Sequence, residues 1–268
     1  MSVVQRILII GVQQFIGFHL GMKYLEKGWE VDGVFIEPKD VRQKKLAEEE
    51  MMWLGRNAFF RLWHRDDWLE HIIGRKYRLI YDCETFTEHS GRNETGKRFE
   101  KTIKVLEKKE APIIFLFSCE YCDDQLKCKL EQQLQELGMP HLFVHVPTVF
   151  GAWQPLNHWM TKCMLEKTEN ANENVFICDL LHIEEVIQIL LEIDDELIFE
   201  KNVFISSNDE GRVKKVMDFL KLDRYSYSPP PAQEMKVLVP RKKANIETSL
   251  KKLDDFFAEI SLILDLEE

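Results

Sequence analysis

Apolar and polar positions change rhythm many times along this chain. Ile7–Ile10 is apolar at every position, the pattern of a strand covered on both faces. From Phe15 to Lys27, the residues Phe15, Ile16, Leu20 and Tyr24 recur at helical spacing, and Gly28 closes the segment. Glu30–Ile36 predicts a second strand. Asp40 is placed to cap a charged helix running through Trp53. Further short apolar runs occur at Ala58–Leu62, Leu79–Cys83, Ile113–Phe117 and His141–Val146. Helical patterns separate most of them, at Asp67–Ile73, Glu94–Lys109 and Asp124–Leu137, and Gly138 ends the last. Strands alternating with helices in this order predict an α/β, doubly wound parallel sheet with right-handed crossovers.

After Pro147 the rhythm breaks, and Trp, Pro and Asn crowd Trp153–His158. A helix at Glu184–Glu192, a strand at Val203–Ser206 and a helix at Val213–Leu220 follow. Pro229–Pro231 precedes a terminal helix from about Ile246, in which Leu250, Leu253, Phe256, Phe257, Ile260, Ile263 and Leu264 share one broad face. That face is expected to pack on a core, with any exposed remainder open to a partner. The 268 residues suit one large α/β domain or two small ones. The expected organisation is a single domain, 1–268, with a reduced C-terminal cap built from about 150–180 and 208–245.

Composition changes this picture only by exclusion. The net charge is −10, with no basic stripe, which argues against nucleic acid or an anionic membrane as partner. No apolar run approaches the ~20 residues of a membrane span. The start, MSVVQRILIIG, lacks a cationic region followed by a cleavable apolar one. Together with six cysteines in such a chain, this points to reduced thiols in a cytoplasm. Cys119 and Cys122 form a C-x-x-C at a strand-to-helix junction, where a helix N-terminus lowers thiol pKa, but nothing else nearby is thioredoxin-like. Zinc needs about four ligands, and beyond Cys128 no further ligand completes the set. His141 and His145 lie about 13 Å apart in a strand rising ~3.3 Å per residue, too far to share an ion. No metal site is expected. In His64-Arg65-Asp66-Asp67 an N-cap is the favoured role for Asp66 or Asp67. Trp153, Asn157, His158 and Trp159 either line a pocket or fill the core of the cap.

The candidate chemistry lies at the first strand's end. ILIIGVQQFIG carries half of a dinucleotide-binding fingerprint. Gly11 holds the tight-turn place and Gly17 the place where the helix packs on the sheet. The middle glycine is replaced by Gln14, and Val12 follows Gly11. Both side chains are expected to crowd the phosphate turn, so that fold is kept and binding is damaged.

From here the chain resembles the NAD-dependent epimerase/dehydratase family, the extended short-chain dehydrogenases/reductases, through nearly its whole length. The opening ILIIGVQQFIGFHLGMKYLEKGWEVDGVF is similar to the family's strand, T-G-x-x-G-F-I-G turn, helix and G-x-E-V strand. Asn93-Glu-Thr-Gly96 resembles its N-x-x-G. Ser118 follows a strand as the family's active-site Ser/Thr does, and Lys127 and Glu131 match the K-x-x-x-E of its catalytic helix. Pro147-Thr-Val-Phe-Gly151 resembles P-x-x-V-Y-G, and Cys178-Asp-Leu-Leu-His-Ile-Glu-Glu-Val186 resembles R-D-F-x-Y-V-D-D-V. The resemblance implies a Rossmann-type fold and a nucleotide cleft with Gly11, Gln14, Phe15, Ile16, Gly17 and Glu37 as cofactor-binding residues.

The departures fall on the chemistry. The family's Y-x-x-x-K tyrosine, its general acid/base, aligns with Asp123, and Asp123 with Lys127 makes an ordinary ion pair on a helix. Ser118 and Asp123 lie close in sequence, where the family has a long loop. The acid for the adenosine ribose aligns with Phe35, leaving Glu37 two residues on to substitute and to favour NAD over NADP. The adenine aspartate aligns with Trp63, and the arginine of R-D-F with Cys178. The expected protein is therefore a divergent, catalytically inactive member with weak or no NAD binding. It would act by binding a nucleotide-like small molecule or a protein partner. The alternative is an active NAD-dependent nucleotide-sugar epimerase, dehydratase or reductase with relocated groups, drawn from Ser118, Asp123 and Lys127. Each helix of the family's dimer bundle, Glu94–Lys109 and Asp124–Leu137, has a single apolar stripe here, which implies a monomer.

Overall fold

The computed structural model describes residues 5–64, 68–71, 74–83, 106, 111–119, 124–166, 175–209, 211–222, 225–227 and 235–263. Its backbone is an eight-stranded sheet in which every pairing is parallel. The strands are β1 (Arg6–Ile10), β2 (Glu30–Phe35), β3 (Phe60–His64), β4 (Leu79–Asp82), β5 (Ile113–Ser118), β6 (His141–Val146), β10 (Asn202–Ile205) and β12 (Lys236–Leu238). Their spatial order is β12-β10-β6-β5-β4-β1-β2-β3. The chain starts in the middle, winds outward to β3, then returns past β1 to build the other half. This reversal opens a crevice at the carboxyl end of β1, where doubly wound folds bind ligands. Two small parallel pairs lie outside the sheet: β7 (Thr148–Phe150) with β9 (Leu180–His182), and β8 (Val175–Ile177) with β11 (Tyr225–Tyr227).

Helices cover both faces. Ile7, Ile9, Val31, Tyr81, Ile114, Leu116 and Val144 pack under α1 (Phe15–Glu26), α2 (Val41–Gly55) and a helix at Ile183–Leu191. Leu8, Ile10, Val34, Ile80, Phe115, Phe117 and Phe143 pack under α3 (Trp68–His71) and α4 (Asp124–Glu136), through Trp68, Leu130 and Leu134. Strand alternation divides the residues between these faces, so the runs are apolar throughout. A third apolar cluster joins α5 (Trp159–Glu166), α8 (Gly211–Leu220) and α9 (Ile246–Ile263) through Met160, Met164, Val216, Met217, Leu250, Leu253, Phe257 and Ile260. The helices between α5 and α8 are α6 (Ile183–Leu191) and α7 (Asp195–Ile198).

Local signals act as expected at several boundaries. Asp40 accepts a hydrogen bond from Gln43 N at 2.8 Å and caps α2. Gly28 and Gly138, with φ of 77° and 63°, end α1 and α4. β3 starts two residues later than the run Ala58–Leu62 predicts. The Asn57 side chain accepts from Phe59 N at 3.0 Å, and Phe60 N bonds Asn57 O, so a turn consumes the first residues of the run. The expected helix Glu94–Lys109 and the motif Asn93–Gly96 lie outside the described residues. Five strands carry no periodic signal: β7, β8, β9, β11 and β12 are three residues each. β12 closes the sheet's edge beyond β10, within the stretch assigned from sequence to the cap.

Candidate functional site

The turn between β1 and α1 is built from a few backbone contacts. Gly11 adopts φ 74°, a left-handed conformation that favours glycine. Gly11 N and Val12 N both donate to Val34 O, at 3.0 and 3.1 Å, and Gln14 N donates to Gly11 O at 2.9 Å. Gly17 lies directly beneath: a Cβ there would stand 2.5 Å from Gly11 O. Both outer glycines are thus required by close approach, as their spacing predicts. Phe15 and Ile16 are buried and anchor α1 by their side chains. The first-turn N–H groups of Phe15, Ile16 and Gly17 have no acceptor within the helix, an arrangement that suits an anion.

Val12 does not crowd this turn. It is fully buried and points down onto β2, where a Cβ on Gly33 would come within 2.9 Å of its Cγ1. The expectation that its side chain stands among the phosphates is corrected by this packing. Gln13 is also buried. Its Nε2 donates to Ile36 O at 2.6 Å and its Oε1 accepts from Ile36 N at 3.1 Å, stitching the turn to the end of β2. Gln14 is left at the N-cap, half-exposed and making no capping bond with its side chain. One side chain, not two, therefore stands at the missing glycine's place. Glu37 is exposed and ion-paired with Lys44, whose ammonium holds the carboxyl below its usual range. Phe35 is buried edge-on to His64, with ring centroids 5.8 Å apart. Trp63 stacks on His71 at 4.4 Å, with the Arg75 guanidinium 5.2 Å from its ring.

At the other end of the crevice, Ser118 is the buried last residue of β5, in register with Val146. Asp123 lies outside the described residues, as do Cys122 and 65–67. Lys127, on the first turns of α4, donates from Nζ to His145 Nε2 at 2.9 Å. The ammonium lies 5.9 Å from the Phe143 ring, and His145 stacks on Phe117 at 6.1 Å. Phe117 and His145 are register partners on the α4 face, and alternation puts Ser118 and Val146 on the opposite face. The structure thus directs Ser118 and Lys127 to different sides of the sheet. His145 as the lysine's partner carries no signal in the sequence, because the two lie 18 positions apart on different elements. His141 donates Nδ1–H to Met139 O at 2.8 Å instead.

The remaining aromatic candidates are packing residues. Trp153 lies between Phe18 on α1 and Phe256 on α9, at 5.5 and 5.2 Å, and Trp159 packs on the third cluster. Asp179, from the R-D-F-like motif, accepts from Leu180 N, Ser206 Oγ, Ser207 N and Ser207 Oγ within 2.7–2.8 Å, and so ties β9 to the end of β10. Among the described residues, no His, Cys, Asp and Glu group is placed to hold a metal, and no helix is long and apolar enough to cross a membrane.

No protein-family model matches the chain. YjaV of Bacillus subtilis (strain 168) is 38% identical over 73 residues, which is 27% of this chain and only 36% of YjaV. Solved structures match throughout. UDP-glucuronic acid 4-epimerase from Bacillus cereus, in complex with UDP-glucuronic acid and NAD, superposes with a TM-score of 0.67 at 14% identity, covering 96% of this chain and 100% of that one. dTDP-glucose 4,6-dehydratase from Bacillus anthracis, in complex with NAD, gives 0.65 at 10% identity, covering 96% and 98%. Epimerase Mth375 from Methanothermobacter thermautotrophicus gives 0.65 at 10%, covering 98% and 94%. The chain has the Rossmann-type α/β fold of NAD-dependent epimerases and dehydratases.

Proposed function

We propose that this chain is a divergent member of the epimerase/dehydratase family that binds a nucleotide-like ligand without nicotinamide redox chemistry. The observation that carries this reading is the Lys127–His145 bond. A lysine serving a nicotinamide ribose and a tyrosine must present its ammonium to the crevice. Here the ammonium is held at the sheet face, over Phe143 and against His145. The Asp123 carboxyl, at the tyrosine's place in sequence, is a poor acid near neutral pH, with an unperturbed pKa of ~3.9. At the nucleotide end, Gly11, Gly17 and the first-turn N–H groups fit a phosphate, while Gln14 and the Lys44-bound Glu37 disfavour the full NAD contact set. Lys44 beside Glu37 adds a cation there. We further propose that the protein works in the cytoplasm as a monomer.

One observation favours the active alternative. Val12 is turned inward, so the backbone of the turn is less obstructed than the sequence suggests. The two readings separate in one assay. Pure protein is incubated with NAD⁺ or NADH and a panel of nucleotide-sugars, with absorbance at the NADH band and chromatography of products. A parallel thermal-shift screen covers NAD, NADP, nucleotides and nucleotide-sugars. Stabilisation by a nucleotide is expected, since a ligand at 100 times its Kd adds ~2.7 kcal/mol, with no turnover. Turnover that disappears in Lys127→Ala would replace the binding reading with the enzymatic one.

A further inference from the structure

The glycine turn is closed onto β2 along the last residues of that strand. Val12 packs against Gly33, where an added Cβ would stand 2.9 Å from Val12 Cγ1. Gly11 N and Val12 N donate to Val34 O at 3.0 and 3.1 Å. Beyond them, Gln13 reaches across to the residue that follows the strand. Its Nε2 donates to Ile36 O at 2.6 Å, and Ile36 N donates to its Oε1 at 3.1 Å. Both ends of the amide are engaged, so the side chain cannot swing aside without giving up two hydrogen bonds. Gln13 is 3% exposed, so the interval it spans is filled by protein. In doubly wound folds that take a dinucleotide, an acid at the end of the second strand bonds the adenosine ribose beside the glycine turn. Here the acid's place is Phe35, buried and edge-on to His64. The next carboxylate, Glu37, is paired with Lys44. These residues do not fit the adenosine half of NAD.

We propose that Gln13 is a specificity residue: its amide, bonded to Ile36, fills the ribose place between the turn and β2 and excludes adenosine diphosphates from the crevice. The ligand is then a phosphate ester without adenosine. Its phosphate sits at the start of α1, and its organic part lies on the other side of the turn, over the ends of β4 and β5. This rests on the reading of the turn as a phosphate site. The role of Gln13 differs from that of Gln14. Gln14 stands half-exposed at the N-cap, with no capping bond from its side chain, and can turn away from a ligand. Gln13 is fixed at both ends and cannot. The two main-chain groups it occupies, Ile36 N and Ile36 O, are a donor and an acceptor that ribose hydroxyls could otherwise use.

The test is calorimetric titration of the full chain with inorganic pyrophosphate and with ADP. In the unaltered protein ADP should bind no more tightly than pyrophosphate, because its adenosine finds no place. Gln13→Ala empties the interval and frees Ile36 N and O. ADP should then tighten by about tenfold, the worth of one well-made hydrogen bond, while pyrophosphate changes by less than about twofold. ADP that binds the unaltered protein about tenfold tighter than pyrophosphate overturns the proposal. So does a Gln13→Ala variant in which ADP gains nothing over pyrophosphate. If pyrophosphate fails to bind the unaltered protein, the phosphate reading of the turn falls, and the change in ADP affinity on Gln13→Ala still decides the role of Gln13. If that variant does not fold, Gln13→Asn, which keeps the amide but draws it back from Ile36, takes its place with the same expected gain.

Discussion

At the scale of single residues, the odd group is Glu50. It is 1% exposed, its Oε2 has no hydrogen-bond partner, and no charge lies close enough to hold it ionised. Burial pushes its carboxyl well above the usual range. An unfolded glutamate ionises near ~4.3. The folded chain thus keeps a proton that the unfolded chain gives up. Glu50's contribution is complete below ~4.3 and declines as pH rises toward the folded value. Glu50→Gln keeps the shape and a similar polar burial but cannot ionise. In urea unfolding it should match the unaltered protein near pH 4.5 and exceed it at pH 8, by on the order of 1–3 kcal/mol. A difference that does not grow with pH would show that Glu50 is ionised in the fold. The residue scale is also where sequence reading divides most sharply. Gly11 and Gly17 were legible because each is demanded by local backbone geometry. The direction of Val12 was not, because the space it fills is left by Gly33 on a different strand.

Among the elements, α6 and α8 are joined by a buried ion pair. Arg212 and Glu185 are 1% and 2% exposed, and their bonds are 2.6 and 3.0 Å. Glu185 also accepts from His182 N and Ala244 N, both at 2.9 Å, so one carboxylate holds the start of α6 and the approach to α9. Such a pair contributes modestly as a pair but is costly to break on one side. Arg212→Met should lose about 3–5 kcal/mol in urea unfolding, by leaving the carboxylate buried without its cation. Adding Glu185→Leu should restore much of that loss; a double variant no better than the single one would place the cost in packing rather than charge. Helix α4 was legible to within a residue, because Gly138 stops it, while α2 was legible at its Asp40 cap but runs two residues past Trp53, to Gly55. The pairs β7–β9 and β8–β11 were not legible. Strands of three residues carry no period, and their partners are distant in sequence.

For the whole molecule, the question is what its outer faces can join. Leu130 and Leu134 of α4 are turned into the sheet. Outward, Gln132 bonds Glu136 and Gln135 bonds Glu131, so that surface is polar. A dimer through this helix would bury charged and amide groups for little apolar gain. Sedimentation equilibrium should therefore give 31.8 kDa at micromolar concentration. A mass of twice that value, lowered by charge-preserving changes on α4, would contradict the monomer. The sequence by itself determined the layered fold, the parallel crossovers and the position of the glycine turn. These follow from period, length and backbone conformation, which neighbouring residues impose on one another. Only the tertiary structure decided what the site's side chains face. Lys127 meets His145 across 18 positions, Gln13 meets Ile36 across 23, and His19 meets Ala152 across 133. Those pairings depend on how helices settle on the sheet, where close packing selects one arrangement among many that share the same pattern.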